Sequence, residues 1–274
     1  MGFILYLCDY QPQQLQSMHK TNYPTNLTEK QWQVIEKILN DQKRKRKHSL
    51  REIFNAILYL LKTGCQWRML PIDFPKWELV YYYYSRWKNE GVFEELNEIL
   101  RNMLREQKGK HLSPSVGLID SQSVKTTRIG GEARGYDGGK KIKGRKRHII
   151  TDTNGWLLSV VIHAANEHDS QTGFDVMQTL RYRFERMKKI YADGGYRGEL
   201  GNDVKQLLGW DLEITLRSDK ETGFKPLPKR WVVERTFSWL ENFRRLAKDY
   251  EYTVSSSVAM VVLAFIALAL NNIS

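Results

Sequence analysis

The chain has 274 residues, of which 41% are hydrophobic and 27% charged, a balance typical of a globular protein with one large or two modest domains. Lys and Arg outnumber Asp and Glu by 43 to 31, and the formal net charge is +12. Such an excess attracts polyanions, so nucleic acid is the leading partner. The two cysteines, Cys8 and Cys65, lack metal-ligand spacing, which argues against a disulfide framework or a zinc site and fits a reducing cytoplasm.

The first part of the chain is predicted to be helical after a short leader. Residues 1–24 show no clear period, and we interpret them as an N-terminal extension. Residues 25–110 are predicted to form a small all-helical DNA-binding domain. Thr28 and Ser49 have the spacing of capping boxes, which start the first two helices, and Gly64 ends the second helix.

Two more helices are predicted over residues 77–91 and 92–104. The first of them carries an apolar stripe from Trp77 to Trp87 that we interpret as core rather than as a stacking platform. Tyr82 lies off this stripe and, with Tyr83, is the better candidate for a phosphate contact. The basic run at residues 43–47 is either a DNA contact or a solvated loop.

Beyond residue 110 the pattern changes to short β-rich runs that alternate with helices, which predicts a mixed α/β domain over residues 111–274. Strands are predicted at residues 116–119, 148–152, 156–163, 189–192 and 211–216, and helices at residues 171–187, 199–208 and 229–246. Asn154 and Gly155 form a hairpin signal between the second and third strands. The apolar stretch 258–270 is shorter than the roughly twenty residues that cross a bilayer, so we predict a buried helix and no membrane partner.

Three carboxylates lie where different elements would point them to a common centre. Asp120 and Asp193 each end an apolar strand, and Glu234 lies in the last amphipathic helix but one. Hard cations such as Mg²⁺ prefer oxygen ligands, and two ions about 3.5–4 Å apart stabilise both oxygens of an in-line phosphoryl displacement. We therefore predict two Mg²⁺ or Mn²⁺ ions. The alternative for each acid is a turn residue or a surface ion pair.

The segment 128–148 combines glycines with many cations, a composition that suits contact with phosphates. Its glycine pairs match neither the dinucleotide motif nor the Walker A motif, so no nucleotide cofactor is implied. A solvated hairpin is the alternative. Further along, His163, His168 and Asp169 could reach the active centre, but the preferred interpretation is strand-end packing for His163 and a helix cap for Asp169.

The motifs around the three acids resemble a known family. They include the sequences DSQSVK at 120–125, GYDGGKK at 135–141, GRKRH at 144–148, ADGGYRG at 192–198 and RWVVERTFSWL at 230–240. Together with GCQWRMLP at 64–71 they are similar to bacterial insertion-sequence transposases of the DDE type, in the IS-five group. The resemblance runs from about Tyr23 to Asn271.

This resemblance implies a ribonuclease H-like core in which Asp120, Asp193 and Glu234 are the catalytic, metal-binding triad. It also implies that Arg230 contacts the DNA backbone. In the related IS-four branch a Tyr and a Lys flank this Arg and Glu, where this chain has Leu227 and Glu241. The hairpin route of strand processing in that branch is therefore not implied.

DNA contacts are expected at basic residues in and near these motifs: Lys125, Lys140, Lys141, Lys143, Arg145, Lys146, Arg147, Arg197, Arg230, Arg235, Arg244 and Arg245. The resulting hypothesis is a cytoplasmic, nucleoid-associated bacterial DNA transposase that cuts at the ends of its element and joins them to target DNA, with at least a dimer on double-stranded DNA. The alternatives are a metal-dependent nuclease of the same fold and an inactive DNA-binding repressor.

Overall fold

The computed structural model describes most of the chain, namely residues 22–39, 46–215 and 230–273. The predictions for residues 1–21 and 43–45 lie outside these described residues, as does Leu227. Arg230 begins a helix, but its side chain also lies outside them.

The four predicted N-terminal helices are present, as α1 (Glu29–Leu39), α2 (Leu50–Thr63), α3 (Trp77–Asn89) and α4 (Val92–Gln107). Ser49 forms the predicted capping box, because its side chain accepts from the Glu52 backbone while the Glu52 side chain accepts from the Ser49 backbone. Gly64 ends α2 in the left-handed conformation with φ 71°, which glycine adopts without steric cost. One detail of the buried stripe is wrong: Tyr81 is exposed and lies edge-on to Trp67.

A mixed six-stranded sheet follows, made of β1 (Val116–Lys125), β2 (Gly135–Asp137), β3 (Ile142–Thr151), β4 (Leu157–Ala164), β5 (Lys189–Ala192) and β6 (Asp211–Ile214). The spatial order is β4, β3, β1, β5, β6, and β2 pairs with the first residues of β3. β1, β3 and β4 are antiparallel, whereas β1, β5 and β6 are parallel. This is the α/β, ribonuclease H-like architecture that was expected.

Two strands are longer than the sequence predicted. β1 continues to Lys125 and β3 begins at Ile142, because these halves pair with each other in register from Leu118 opposite Thr151 to Lys125 opposite Gly144. These halves of β1 and β3 consist mainly of polar and basic residues, so the sequence does not show the alternation of apolar and polar residues that is typical of a strand. Gly144 is required there, since a Cβ at this position would stand 1.9 Å from the Val124 carbonyl oxygen.

The remaining helices cover the sheet and are α5 (Asp169–Gln178), α6 (Leu200–Asp203) with a π-helical turn (Val204–Leu208), α7 (Arg230–Glu241) and α8 (Val254–Ile273). α5 stops at Gln178 and not near residue 187, because the chain turns through residues 179–188. α7 also ends earlier than predicted, and a 3-10 turn at Arg244–Leu246 follows it.

The C-terminal helix is buried, as predicted, although the argument from its length was wrong. α8 has twenty residues and is long and apolar enough to cross a bilayer by length and composition. It packs instead against α4 and β4, and most of its central side chains are buried. Its apolar character is therefore accounted for by the core that joins the helical region to the sheet.

The sheet separates two buried clusters, and adjacent residues of β1 face opposite sides. Leu118 packs with the cluster that contains α7 and α8, whereas Ile119 packs with the cluster beneath α5 and α6. By the same alternation, Asp120 faces the α7 side and Ser121 faces the α5 side.

Candidate active site

The first two predicted acids lie near each other where the parallel pairing of β1 with β5 ends. β1 and β5 are parallel, and Leu118 of β1 lies opposite Tyr191 of β5. Asp120 comes two residues after Leu118, and Asp193 comes two residues after Tyr191, so the two acids occupy equivalent positions on neighbouring segments. Neighbouring strands are about 4.8 Å apart. Both acids line the same small cleft, whose opposite wall includes Val233 of α7. The structure therefore brings these two carboxylates together.

Local hydrogen bonds orient both side chains. Asp120 Oδ1 accepts from the Ser121 backbone N–H at 2.7 Å, and Asp193 Oδ1 accepts from the Gly195 backbone N–H at 2.8 Å. The second bond closes a 3-10 turn at Gly194–Tyr196, so the turn role considered for Asp193 is real and coexists with its place in the cleft. Each carboxylate is half-buried.

The third acid, Glu234, lies beside the cleft but not in it. Its neighbour Val233 is buried and forms part of the cleft wall, while Glu234 itself is exposed. Within the described residues, no group of three or more His, Cys, Asp or Glu side chains is arranged to hold a metal ion. Two of the three predicted ligands, Asp120 and Asp193, thus line the same cleft. The third, Glu234, is the residue after Val233, which forms part of the cleft wall.

The chemistry of this cleft fits a hard divalent cation. Asp120 and Asp193 supply carboxylate oxygens, which are the ligands that Mg²⁺ and Mn²⁺ prefer. The hydroxyl of Tyr196 is buried nearby and, among the described residues, no side chain gives it a well-aligned hydrogen bond, although Ser121 is close. Burial, followed by the charges of Asp120, Asp169 and Asp193, raises the pKa of Tyr196 well above its usual range. The Tyr196 hydroxyl therefore lies near three carboxylates, two of which line the cleft.

A fourth carboxylate, Asp169, was considered for the active centre in the sequence but assigned to a helix cap. It is the first residue of α5, and the N-cap position belongs to His168, so the interpretation of Asp169 as a cap is wrong. Its Oδ1 accepts from the Ser121 hydroxyl at 2.9 Å and pairs with Lys146 Nζ at 3.0 Å. The sequence did contain one indication of this role. The connection between β4 and α5 is short, so the start of α5 must lie close to the end of β4 and therefore near the two acids.

Two buried histidines extend this polar group across β3 and β4. His148 Nδ1 lies 2.7 Å from His163 Nε2, and His148 Nε2 lies 3.4 Å from Asp169 Oδ1. Burial lowers the pKa of His148 to about 3, in spite of the Asp169 charge. His148 is therefore neutral at physiological pH. His163 packs near the end of β4, as was predicted.

Three of the arginines expected to contact DNA are buried and bound to the protein, which corrects that prediction. Arg145 pairs with Asp249. Arg147 donates to the Leu246 carbonyl, and burial lowers its pKa to about 10. Arg245 pairs with Glu251. The sequence run GRKRH could not show that its arginines alternate into the α7 side of a strand, because the strand itself was predicted to begin only at His148.

Two further basic residues are held by protein contacts. Lys146 is buried, and its Nζ donates to the Glu167 carbonyl at 2.6 Å as well as to Asp169. Arg235 is half-buried between the rings of Trp231 and Trp239, each 4.5 Å from its guanidinium carbon. Lys146 is therefore withdrawn from solvent, whereas Arg235 keeps part of its surface exposed while it stacks on the two rings.

The remaining candidates are exposed: Lys125, Lys140, Lys141, Lys143, Arg197 and Arg244. The four lysines lie together, because Lys140 and Lys141 are in the turn between β2 and β3 and Lys125 is paired with Gly144, next to Lys143. We call them the lysine patch. Arg197 lies beside the Asp193 loop, since a Cβ at Gly194 would be 3.6–3.7 Å from its guanidinium.

Comparison with known proteins agrees with this geometry. The family described as "Transposase DDE domain" matches residues 111–270, and that described as "Putative transposase of IS4/5 family" matches residues 27–97. A protein of Burkholderia cepacia, "Putative transposase for insertion sequence element IS402", is 35% identical over 115 residues, which are 39% of this chain and 54% of the relative. The chain thus spans about half the length of that relative. By its fold, its paired acids and its match to the DDE domain, the chain belongs to the DDE transposases of the IS4/5 type.

Proposed function

We propose that this transposase binds the terminal inverted repeats of an insertion sequence, cleaves the DNA at the element ends and joins the 3′-hydroxyl ends to target DNA. The observation that carries the proposal is the cleft shared by Asp120 and Asp193, with α7 and its Glu234 alongside. It offers carboxylates at the end of a sheet beside an exposed lysine patch. This combination suits phosphodiester chemistry on DNA.

In this proposal Asp120 and Asp193 hold two Mg²⁺ or Mn²⁺ ions, and Glu234 completes the site when α7 presents it to bound DNA. Ions held there would supply a lowered pKa for a bound water and would neutralise charge on the reacting phosphate. Asp120 and Asp193 are already oriented by the backbone N–H groups of Ser121 and Gly195, so little reorganisation is required of them. Water would attack the phosphodiester at the element end and release its 3′-hydroxyl, and this hydroxyl would then attack a target phosphodiester and displace the target's own 3′-hydroxyl, so no covalent protein intermediate is needed.

The lysine patch gives a path for the DNA backbone. Lys125 is five residues from Asp120 on the same strand, a separation of about 17 Å at the usual rise per residue, and this odd spacing directs the two side chains to opposite faces at the exposed end of β1. A duplex or a displaced strand whose scissile phosphate is at the acids would therefore reach the patch within a few nucleotides. Arg197, beside Asp193, is placed to contact a phosphate next to the cut.

The partners follow from the same reaction. Two element ends must be handled together, so we propose at least a dimer on double-stranded DNA, acting in the bacterial cytoplasm on nucleoid DNA without a nucleotide cofactor. Light scattering of protein with paired-end DNA measures the stoichiometry. One protomer on two ends would contradict the proposal.

The decisive experiment supplies the full chain with a labelled element-end duplex, an unlabelled target duplex and either Mg²⁺ or Ca²⁺. We expect cleavage and strand-transfer product with Mg²⁺ only, and neither product from Asp193→Asn although it still binds the end duplex. Cleavage without transfer would indicate a nuclease. Binding without any cleavage by the unaltered chain would indicate a repressor.

A further inference from the structure

Asp169 connects the two segments that carry Asp120 and Asp193. Its Oδ1 accepts from the hydroxyl of Ser121, the residue next to Asp120 in β1, at 2.9 Å. The same oxygen lies 3.0 Å from Lys146 Nζ, on β3. Register places Ser121 opposite His148 and Ser123 opposite Lys146, so these contacts all lie on the face of the sheet that α5 covers. One oxygen of Asp169 is thereby fixed to β1 and β3.

The second oxygen of Asp169 faces the Asp193 loop. A Cβ built on Gly195 would stand 3.3 Å from Asp169 Oδ2 and 3.1 Å from Asp193 Oδ1. Both carboxylates therefore flank one residue of the loop, and a Cβ at that residue would require them to shift by a few tenths of an ångström. Two anions this close repel each other unless a cation compensates.

Lys146 supplies such a cation. Burying an ammonium group is costly unless it is paired and hydrogen-bonded, and Lys146 meets both conditions through Asp169 and the Glu167 carbonyl. Its charge also explains the state of Asp169: burial alone would raise the pKa of that carboxyl, but the Lys146 hydrogen bond and the nearby His148 and Ser121 hold it below the usual range. Asp169 is thus an anion whose Oδ1 is committed to protein partners.

We propose that Asp169 is a positioning residue for metal-dependent DNA cleavage, which together with Lys146 fixes the Asp193 loop relative to the strand that carries Asp120. The inference rests on the proposed function. Asp169 acts through Ser121 and the loop and need not touch DNA or the reacting atoms. Groups of this kind that orient metal ligands typically change metal affinity or activity by about 10- to 100-fold when they are removed.

The test compares Asp169→Asn, Lys146→Met and the double variant in the full chain, with Asp175→Asn as the matched control. Asp175 is on the same helix but exposed. Three quantities are measured: the Kd for Mn²⁺ alone by titration calorimetry, the Mn²⁺ concentration that gives half-maximal cleavage of an element-end duplex, and the Kd for that duplex in Ca²⁺. Ser121→Ala is a milder variant that keeps the Asp169–Lys146 pair, in case Asp169→Asn does not fold.

We expect Asp169→Asn to weaken Mn²⁺ binding and raise the half-maximal Mn²⁺ concentration by about tenfold or more, while the Kd for the duplex changes less than about twofold. The double variant should be no worse than Asp169→Asn, because the two residues act as one unit. Ser121→Ala should weaken Mn²⁺ binding by a smaller factor, and Asp175→Asn should match the unaltered chain.

The outcomes separate this inference from the proposed function. If the unaltered chain binds Mn²⁺ and cleaves DNA, but Asp169→Asn or, should it not fold, Ser121→Ala has the Mn²⁺ affinity of Asp175→Asn, the positioning role is overturned and the function stands. A uniform loss of duplex binding and cleavage without a change in Mn²⁺ affinity would also overturn it, since that result indicates a merely structural residue. An unaltered chain that neither binds Mn²⁺ nor cleaves would overturn both.

Discussion

Arg145 and Asp249 form an ion pair inside the protein, with 3.2 Å between Arg145 Nη1 and Asp249 Oδ2 and both side chains almost fully buried. Three further guanidinium hydrogens of Arg145 are donated to the carbonyls of Glu132, Glu251 and Tyr252. Asp249 accepts in addition from the Ser257 hydroxyl at the start of α8. One arginine thus joins β3, the segment before α8 and the segment before β2.

This arrangement predicts that Arg145→Met destabilises the fold by about 3–5 kcal/mol, because it leaves the Asp249 carboxylate buried without its partner. Urea unfolding of the full chain measures the loss. The double variant Arg145→Met with Asp249→Leu should recover part of it, since both charges are then absent. A single variant with unchanged stability and weakened DNA binding would instead support the original assignment of Arg145 as a DNA contact.

The lysine patch predicts the opposite behaviour. Lys140→Ala, Lys141→Ala and Lys143→Ala should each leave stability within about 0.5 kcal/mol, since the side chains are exposed. Each should weaken binding of the element-end duplex and reduce the slope of log K against log salt by roughly one if it neutralises a phosphate. Lys205→Ala, an exposed lysine paired with Asp211 at the far edge of the sheet, is the control. Equal salt slopes for all four variants would remove the patch from the DNA path.

The contrast between Arg145 and Lys143 shows what the sequence could predict. Helices and apolar strands followed from periodicity, as did the placement of Asp193 directly after β5, whereas the prediction that Asp120 ends a strand was wrong because β1 continues to Lys125. Lys143 and Arg145 lie two residues apart on β3 and therefore point to the same face, yet Lys143 is an exposed cation and Arg145 forms a buried ion pair, because other segments of the chain cover only the second position. Composition alone cannot separate these roles, because the strand start and its register come from pairing with β1.

Asp169 illustrates a second limit. Its position before a helix favoured a cap, and nothing local distinguishes a cap from a side chain that reaches Ser121, 48 residues earlier in the chain. The role of Glu234 is limited in the same way: periodicity placed it on the polar side of a helix, but the distance from α7 to the sheet depends on tertiary packing.

The buried histidine pair predicts a loss of stability in mild acid. A free histidine has a pKa near 6.5, whereas burial lowers the pKa of His148 to about 3, so between these values the unfolded chain binds a proton that the folded chain does not. Stability therefore falls as pH decreases, by about 2 kcal/mol between pH 7 and pH 5. His163, whose pKa burial also lowers, acts in the same direction. Asp169, with a lowered carboxyl pKa, adds its own loss only at more acidic pH.

The measurement is the urea unfolding free energy at pH 7 and pH 5 for the unaltered chain and for His148→Gln. The variant should lose much less stability on acidification than the unaltered chain. His111→Gln, at an exposed position in the segment between α4 and β1, serves as control. The same acid loss in His148→Gln as in the control would assign the effect to other groups.

Tyr196→Phe is expected to improve stability and to reduce activity. The hydroxyl is buried without a well-aligned partner among the described side chains, so its removal saves a desolvation cost of about 1–3 kcal/mol while the ring keeps its contact with His148. The same hydroxyl lies among the charges of Asp120, Asp169 and Asp193, so we expect cleavage to slow by about tenfold. Thermal melting and single-turnover cleavage measure the two effects, with the exposed Tyr182→Phe for comparison. A less stable but fully active variant would contradict both halves of the prediction.

Arg235 allows a direct choice between a structural role and contact with DNA. Its guanidinium lies between Trp231 and Trp239 and donates to the Asn154 carbonyl at 2.8 Å, so it holds α7, and with it Glu234, against the turn between β3 and β4. Arg235→Lys keeps the positive charge but loses the planar stacking and the forked donors. A residue that only neutralises phosphate would tolerate this change, with little effect on duplex affinity or its salt dependence. A residue that holds α7 against the turn between β3 and β4 would not tolerate it.

We therefore expect Arg235→Lys to lower the unfolding free energy by about 1–2 kcal/mol and to slow cleavage severalfold at saturating duplex, with an unchanged salt slope. Normal stability and cleavage in this variant, combined with a reduced salt slope in Arg235→Ala, would return Arg235 to the DNA interface.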